Sequence, residues 1–445
     1  MGGISRRLFV RQGGLALLAL GLPPEFLTRS LLARTSGAAR RKTLICIFQR
    51  GAVDGLNMVV PFGEKAYYER RRSIAVPAPG RDNGAIDLDG FFGLHPTLRP
   101  LHELFGRREL AIVHAVGSPH PTRSHFDAQD FMETATPGVK STRAGWLNRV
   151  LEHTGCDCSG RTLEDPNAHA ADHTAGQIAM ATQLPANPAL RGIAMGSAMP
   201  RALRGAHPAL AIEDLDRFGI AGGRDASLQE TFARVYETDA GSVVGSAADD
   251  AFDALAILKA ANPAQYRPAA NVAYPPGNFG RSLRQIAQLI KADVGVEVAF
   301  ADLGGWDTHQ AQGGAEGQLA RRLGELARGI RALYDDLGDR MDDVVLLTMS
   351  EFGRTVAENG SGGTDHGHAN CMMVMGGGVA GGRILGDWPG LEREQLYEGR
   401  DLALTTDFRD VFAEVVATHL GAEGLGEIFP GHAATPAAWR GLFQG

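Results

Sequence analysis

Residues 43–55 read Thr43-Leu44-Ile45-Cys46-Ile47-Phe48-Gln49-Arg50-Gly51-Ala52-Val53-Asp54-Gly55. Thr43 to Phe48 is an uncharged, apolar and β-branched run, which suits a central strand buried on both faces. The glycine-bearing turn stops the strand and leaves an aspartate just beyond its carboxyl end. A strand covered on both sides needs further layers above and below it, so this stretch decides for an α/β fold. The unit recurs. Glu109–Val116 is a second strand-like run, and SPHPTRSHFDAQDFMETA then turns into a helix. Val294–Phe300 runs into GGWDTHQ, Asp343–Met349 opens into SEFGRT, and Cys371–Met375 gives a further strand. Leu319, Leu323, Leu326, Ile330, Leu333 and Leu337 step by fours and threes, the spacing of an amphipathic helix packed on the sheet. Thr406-Asp407 can cap a closing helix that ends at Gly421.

Strands alternating with helices predict a mostly parallel sheet covered on both faces, with the ligand site beyond the carboxyl ends of its strands. Asp54, Ser124, Asp307 with His309, and Glu351 each follow a predicted strand within a few residues. That coincidence says more than any one motif.

The chain has 445 residues, enough for one large α/β domain or two to three average ones. Its opening, MGGISRRLFVRQGGLALLALGLPP, has the form of a twin-arginine (Tat) signal. Arg6-Arg7 precede a weakly apolar run, 13–22, that is about half the roughly 20 residues of a spanning helix. Ser36-Gly37-Ala38 offers small residues for cleavage. The expected protein is exported through the Tat translocase to the periplasm or the exterior, without a transmembrane anchor. Residues 1–42 hold eight Lys/Arg and one Glu, so the remainder carries 36 basic and 50 acidic groups, a net charge of −14. An acidic body argues against nucleic acid as a partner. Four cysteines give no disulfide framework, and Cys156-Asp157-Cys158 reads as part of a surface insertion or as a weak metal motif. Residues 150–275, rich in Ala, Pro and Gly, are expected to form a partly helical insertion.

Several residues could carry chemistry. Asp54 could hold a divalent cation or cap its own turn. Ser124-His125-Phe126-Asp127 fits a capping box, and a serine at a helix N-terminus also faces free N–H groups that favour an anionic nucleophile. Thr122 is its rival, and Arg123 or His125 could hold a phosphate or sulfate oxygen. Asp307 and His309, two apart in an extended segment, point the same way and can reach one ion. Glu351 could pair with Arg354, or Arg354 could grip a substrate oxyanion. GTDHGHAN, 363–370, packs Asp365, His366 and His368 between glycines. Carboxylate with imidazole suits Zn, Mn, Mg or Fe, and the lack of thiolate argues against a closed structural zinc site.

RGAVDGLN, RSHFDAQ, GGWDTHQ, MSEFGRT, GTDHGHAN and the closing TTDFRD, taken together over most of residues 43–421, resemble the bacterial family called domain of unknown function 1501. That family is a branch of the alkaline phosphatase-like superfamily. The resemblance implies a three-layer α/β/α sandwich and one or two divalent metals activating a hydroxyl that attacks a phosphate or sulfate ester. By position Asp54 would be the first metal ligand, Ser124 the nucleophile, and Asp307 with His309 the next ligands. The superfamily commonly has an Asp-His pair where this chain has Glu351-Phe352. Either Glu351 acts alone or Asp365-His366 supply the pair, with His368 as the late ligand. The function expected on these grounds is a metal-dependent hydrolase of small anionic esters. A non-catalytic, metal-containing binding or surface-associated protein is the alternative, and a redox role the weakest reading, since no haem or flavin motif is present.

Overall fold

The structure is a computed structural model, and it describes residues 41–154, 187–215, 257–258 and 265–443. The signal segment through residue 40 and the Cys156/Cys158 pair lie outside the described residues.

Among the described residues nine strands form the central sheet: β1 Thr43–Arg50, β2 Leu110–Gly117, β3 Gly192–Met195, β4 Leu210–Ile212, β5 Val298–Gly304, β6 Val344–Met349, β7 Asn370–Gly376, β8 Arg383–Leu385 and β9 Thr406–Asp407. They lie in the order β8-β2-β7-β6-β1-β5-β3-β4, with β9 also paired to β2. β1 is flanked by parallel partners on both sides, Leu44 lying opposite Val298 of β5 and Val345 of β6. Of the described strands in this sheet β7 alone runs against its neighbours, antiparallel to both β2 and β6. This reversal matters for the site. The carboxyl ends of β1, β2, β5 and β6 share one edge of the sheet, and the chain entering β7 arrives at that same edge.

Side chains alternate across the sheet as the pleat requires. Ile45 and Ile47 of β1 join a core with α1 Arg99–Gly106, α4 Asn278–Lys291 and α5 Gln318–Leu337. Leu44, Cys46 and Phe48 join the opposite core with α2 His125–Thr134, α3 Trp146–His153 and α6 Phe408–Val415. Helices therefore cover both faces of a mostly parallel sheet. The predicted leucine stripe is the buried face of α5, from Leu319 to Leu337. α6 is capped by the Asp407 side chain and runs through a π turn, Val416–Leu420, to Gly421 in the left-handed conformation.

Two expectations shift. The strand predicted from Val294 starts at Val298, because Gly295 sits at φ +98° in the preceding turn. The span read as an insertion supplies β3 and β4, two strands at the edge of the central sheet. Their short runs, Gly192–Met195 and Leu210–Ile212, are too brief to stand out from an Ala/Gly-rich background. Among the described residues no helix is long and apolar enough to cross a membrane.

Candidate metal centre

Four chain segments meet beyond the carboxyl edge. β5 delivers Asp307 and His309, β6 ends at Glu351, β2 leads to His125 at the start of α2, and the loop entering β7 brings Asp365 and His366. Backbone contacts lock the segments together. Gly353 N–H donates to the His368 carbonyl, Gly367 N–H to Gly353 and Thr355 N–H to Asp365, so SEFGRT and GTDHGHAN are joined around an antiparallel bridge between Arg354 and His366. Gly367 is required there, since a Cβ would lie 2.4 Å from the Arg354 carbonyl carbon. Gly51 has φ +114°, and a Cβ on it would come within 2.8 Å of the Asp307 nitrogen. These glycines permit the close approach that assembles the site.

Three imidazoles surround the Asp307 carboxylate, and each has its Nδ1 held by an oxygen. His125 Nδ1 donates to Glu351 Oε1 at 2.8 Å. His309 Nδ1 donates to Asp365 Oδ1 at 3.2 Å. His366 Nδ1 donates to the Arg123 carbonyl at 2.8 Å. A proton on each Nδ1 leaves Nε2 as the lone-pair nitrogen, the arrangement in which outer acceptors orient metal-binding histidines. The Nε2 atoms of His309 and His366 lie 3.0 Å apart. Asp307 Oδ1 lies 2.9 Å from the first and 3.3 Å from the second. Three electron-pair donors in so tight a triangle repel one another unless a positive centre, an added proton or a cation, sits among them. The ligand-bearing atoms of His125, Asp307 and His366 also lie within 4.8 Å of one another. The all-nitrogen-and-oxygen donor set fits Zn, Mn or Fe better than Mg, which is held mainly by oxygen.

The electrostatics follow the same geometry. The hydrogen bond to Glu351 raises the His125 imidazole above its ordinary value, against the opposing effect of burial. Burial lowers His366. Burial also opposes ionisation of Asp307, but the hydrogen bond and charge of Arg354 outweigh it and hold the carboxyl below the usual range. For Glu351 burial is likewise overcome, here by hydrogen bonds from His125, Gln129 and the Gly51 N–H.

Several expected members take other positions. Asp54 does not join the cluster: its carboxylate is fully buried, pairs with Arg71 Nη1 at 2.6 Å, accepts from Gln312 Nε2 at 2.6 Å and caps Asn57. His368 does not serve as a late ligand here. It is buried with its ring stacked on Tyr397 at 4.4 Å, and burial lowers its pKa. Arg123 directs its guanidinium to Glu398 and Asp401, at 2.6 and 2.7 Å, rather than to an ester. Arg354 pairs with Asp307 at 2.6 Å, not with Glu351, and donates to the carbonyls of Gly51, Ala52, Trp306 and Thr364. It is buried and saturated by acceptors, so it holds three loops together instead of gripping substrate. Glu351 and Asp365 sit behind His125 and His309 as orienting carboxylates.

Ser124 occupies the N-cap position of α2 and is exposed, but its side chain makes no capping bond. The predicted capping box is absent: Asp127 pairs with Lys140 at 2.7 Å, and Thr122 Oγ1 accepts the Ser124 N–H. The pair Asp307–His309 was legible as a unit. His125 as a candidate ligand was not, because its hydrogen bond to Glu351 spans 226 positions and leaves no local pattern.

The profile of a family described as "Protein of unknown function (DUF1501)" matches residues 41–427. The chain belongs to the DUF1501 family. No curated protein matches it. Among solved structures, a crystal structure of Ps i-CgsB in complex with k-i-k-neocarrahexaose aligns at 10% identity with a TM-score of 0.37. The alignment covers 90% of this chain and 76% of that one. A likeness at that score carries no argument about this DUF1501 protein.

Proposed function

We propose that this DUF1501 protein is an exported, metal-dependent hydrolase of phosphate or sulfate esters, built on an alkaline phosphatase-like variant of the α/β fold. One observation carries the reading: imidazole lone pairs and the Asp307 carboxylate converge at a solvent-facing edge, each imidazole fixed from behind by an oxygen. Asp307, His309 and His366 would hold a divalent cation. When bound, it would supply Lewis-acid polarisation of the ester oxygen and lower the pKa of an attacking hydroxyl. The chain's own groups do the rest. Glu351, Asp365 and the Arg123 carbonyl keep the ring protons on Nδ1, so that every Nε2 stays available. Arg354 fixes the plane of Asp307. Ser124, exposed at the start of α2 beside His125, is the candidate nucleophile, and the uncapped N–H groups of that first turn favour its anionic form and an anionic substrate. The twin arginines Arg6 and Arg7 support export.

The test combines metal analysis of purified protein with assays on p-nitrophenyl phosphate, bis-p-nitrophenyl phosphate and p-nitrophenyl sulfate. Turnover that requires metal and vanishes in Ser124→Ala supports the hydrolase. Turnover unchanged by both chelation and Ser124→Ala sinks it. A non-catalytic metal-binding protein is favoured by one observation: Arg123 and Arg354, the cations expected to meet an ester's charge, already face carboxylates and carbonyls. Bound metal without turnover on any of the three esters would select that reading.

A further inference from the structure

We propose that His125 is itself a metal ligand and that Glu351 is the positioning residue that fixes its tautomer, so that His125, Asp307 and His366, with His309 beside them, form a centre for a single ion. This rests on the metal-dependent reading above and deepens it, because the expected one or two ions are narrowed to one.

Glu351 is fully buried, and its Oε1 accepts from Gly51 N at 2.9 Å, His125 Nδ1 at 2.8 Å and Gln129 Nε2 at 2.8 Å. Its Oε2 lies 3.2 Å from the Ser350 hydroxyl, whose shorter bond, 2.9 Å, goes to the Gln49 carbonyl. Three donors on one oxygen commit it to orienting its neighbours rather than to an ion. His125 is in the opposite condition. Its Nε2 is buried and has no hydrogen-bond partner, lying 3.5 Å from Asp307 Oδ2. A buried nitrogen without a partner is costly unless something else satisfies it. Asp307 Oδ1 accepts from Arg354 and also faces His309 and His366, while Oδ2 faces His125.

Phe352 explains why the second ion is not built. Its side chain offers no donor atom, and its ring lies 4.9 Å from that of His125 and 5.0 Å from that of His366. It is buried, clustered with Ala52 and Ala128, and works as an apolar wedge that sets the planes of both imidazoles. Asp54, the other carboxylate a second ion would use, is consumed by Arg71 and Gln312.

The experiment counts ions. The full-length chain is stripped with chelator and reloaded with Zn²⁺ or Co²⁺. Metal per chain is measured by mass spectrometry, and affinity by competition with a chromophoric chelator. One ion per chain is expected. His125→Ala should weaken zinc binding by about 100-fold or more, beyond the roughly 10–100-fold typical of losing an outer partner, and Glu351→Gln should fall within that smaller range. Glu351→Gln should also shift the visible Co²⁺ bands. Phe126→Ala, at the exposed neighbour on the same helical turn, should leave affinity unchanged. If the alanine variant fails to fold, His125→Gln serves in its place and should show the same loss. Two ions per chain, or zinc bound as tightly without the His125 imidazole, overturns the assignment while leaving a metal centre standing. A chain that binds no ion overturns the metal reading and this assignment together.

Discussion

Asp54 and Asp307 each follow a central strand, and each meets a buried arginine at 2.6 Å, yet they do opposite things. Around Asp54 every neighbour is a donor or is itself satisfied. Arg71 bonds Asp54, the Asn57 side chain and the Thr355 and Val356 carbonyls. Tyr67 donates to Asn57, and Gln312 donates to Asp54. The cluster is sealed from solvent and closed in its hydrogen bonds. Asp307 is 45% exposed at its side chain and is ringed by imidazoles that present lone pairs to it. An acid at a strand end is therefore no site in itself. What distinguishes the two is whether its neighbours bring protons or need a positive charge. The regions are also joined. Gln312 Oε1 accepts from Thr308, which lies between Asp307 and His309, and from Thr364, next to Asp365, at 2.8 Å each. The closed cluster is the floor on which the open one stands.

The largest effect should come from breaking the floor. Arg71→Met strands a buried carboxylate and should cost about 3–5 kcal/mol of stability, the usual penalty for removing one partner of a buried pair. Asp307→Asn, measured in chelator, should stay within about 1 kcal/mol, because the amide oxygen can still face Arg354 and the site is partly solvated. Denaturant midpoints of the two variants against the unmodified chain check this. Equal losses would show that Asp307 is as structural as Asp54.

Metal sharpens the contrast from the other side. A ligand that binds only the folded chain stabilises it by about 2.7 kcal/mol at a free concentration 100 times its Kd. Zinc should give that gain to the unmodified chain. At the same zinc concentration it should give essentially none to Asp307→Asn. Unfolding curves with and without chelator measure it, and a full zinc response in Asp307→Asn would move the ion away from the imidazole cluster.

Much of this was legible in the chain because burial on both faces writes a continuous apolar run. Residues 43–48 and 343–349 announce their strands, and the leucine stripe announces α5. Parallel topology alone sends the acids just beyond those strands toward one edge. What could not be read was which acids are closed off. Arg71 lies 17 positions from Asp54, and Gln312 lies 258 from it, so the partners that neutralise Asp54 leave no local mark. The reversal of β7 was equally silent, since Asn370–Gly376 is apolar whichever way it runs. That reversal is what carries Asp365 and His366 to the same edge as Asp307.

The smallest expected effect tests the closed region by pH. His95 adjoins the Gln312 segment: its Nε2–H donates to the Gly314 carbonyl at 3.0 Å, while its Nδ1 accepts the Thr97 N–H at 3.2 Å. Both ring nitrogens are satisfied only in the neutral tautomer. Burial lowers the imidazole's pKa, with the Gly314 carbonyl and the Asp54 charge acting in the opposite direction. The unfolded value is about 6.5. Between there and the lowered folded value the unfolded chain binds more protons, so this contribution is intact above about pH 6.5 and is lost as pH falls toward the folded pKa. His95→Gln should make the metal-free stability profile less steep below about pH 6.5, while the other imidazoles lowered by burial keep their share of the loss. With zinc bound, a second acid loss should appear in both proteins, because protons compete with the ion for imidazole nitrogen. The substitution at His95 then separates the two regions: it should shrink the first loss, to which the other imidazoles lowered by burial also contribute, and leave the second, and a fall in both would mean that the floor and the site titrate as one unit.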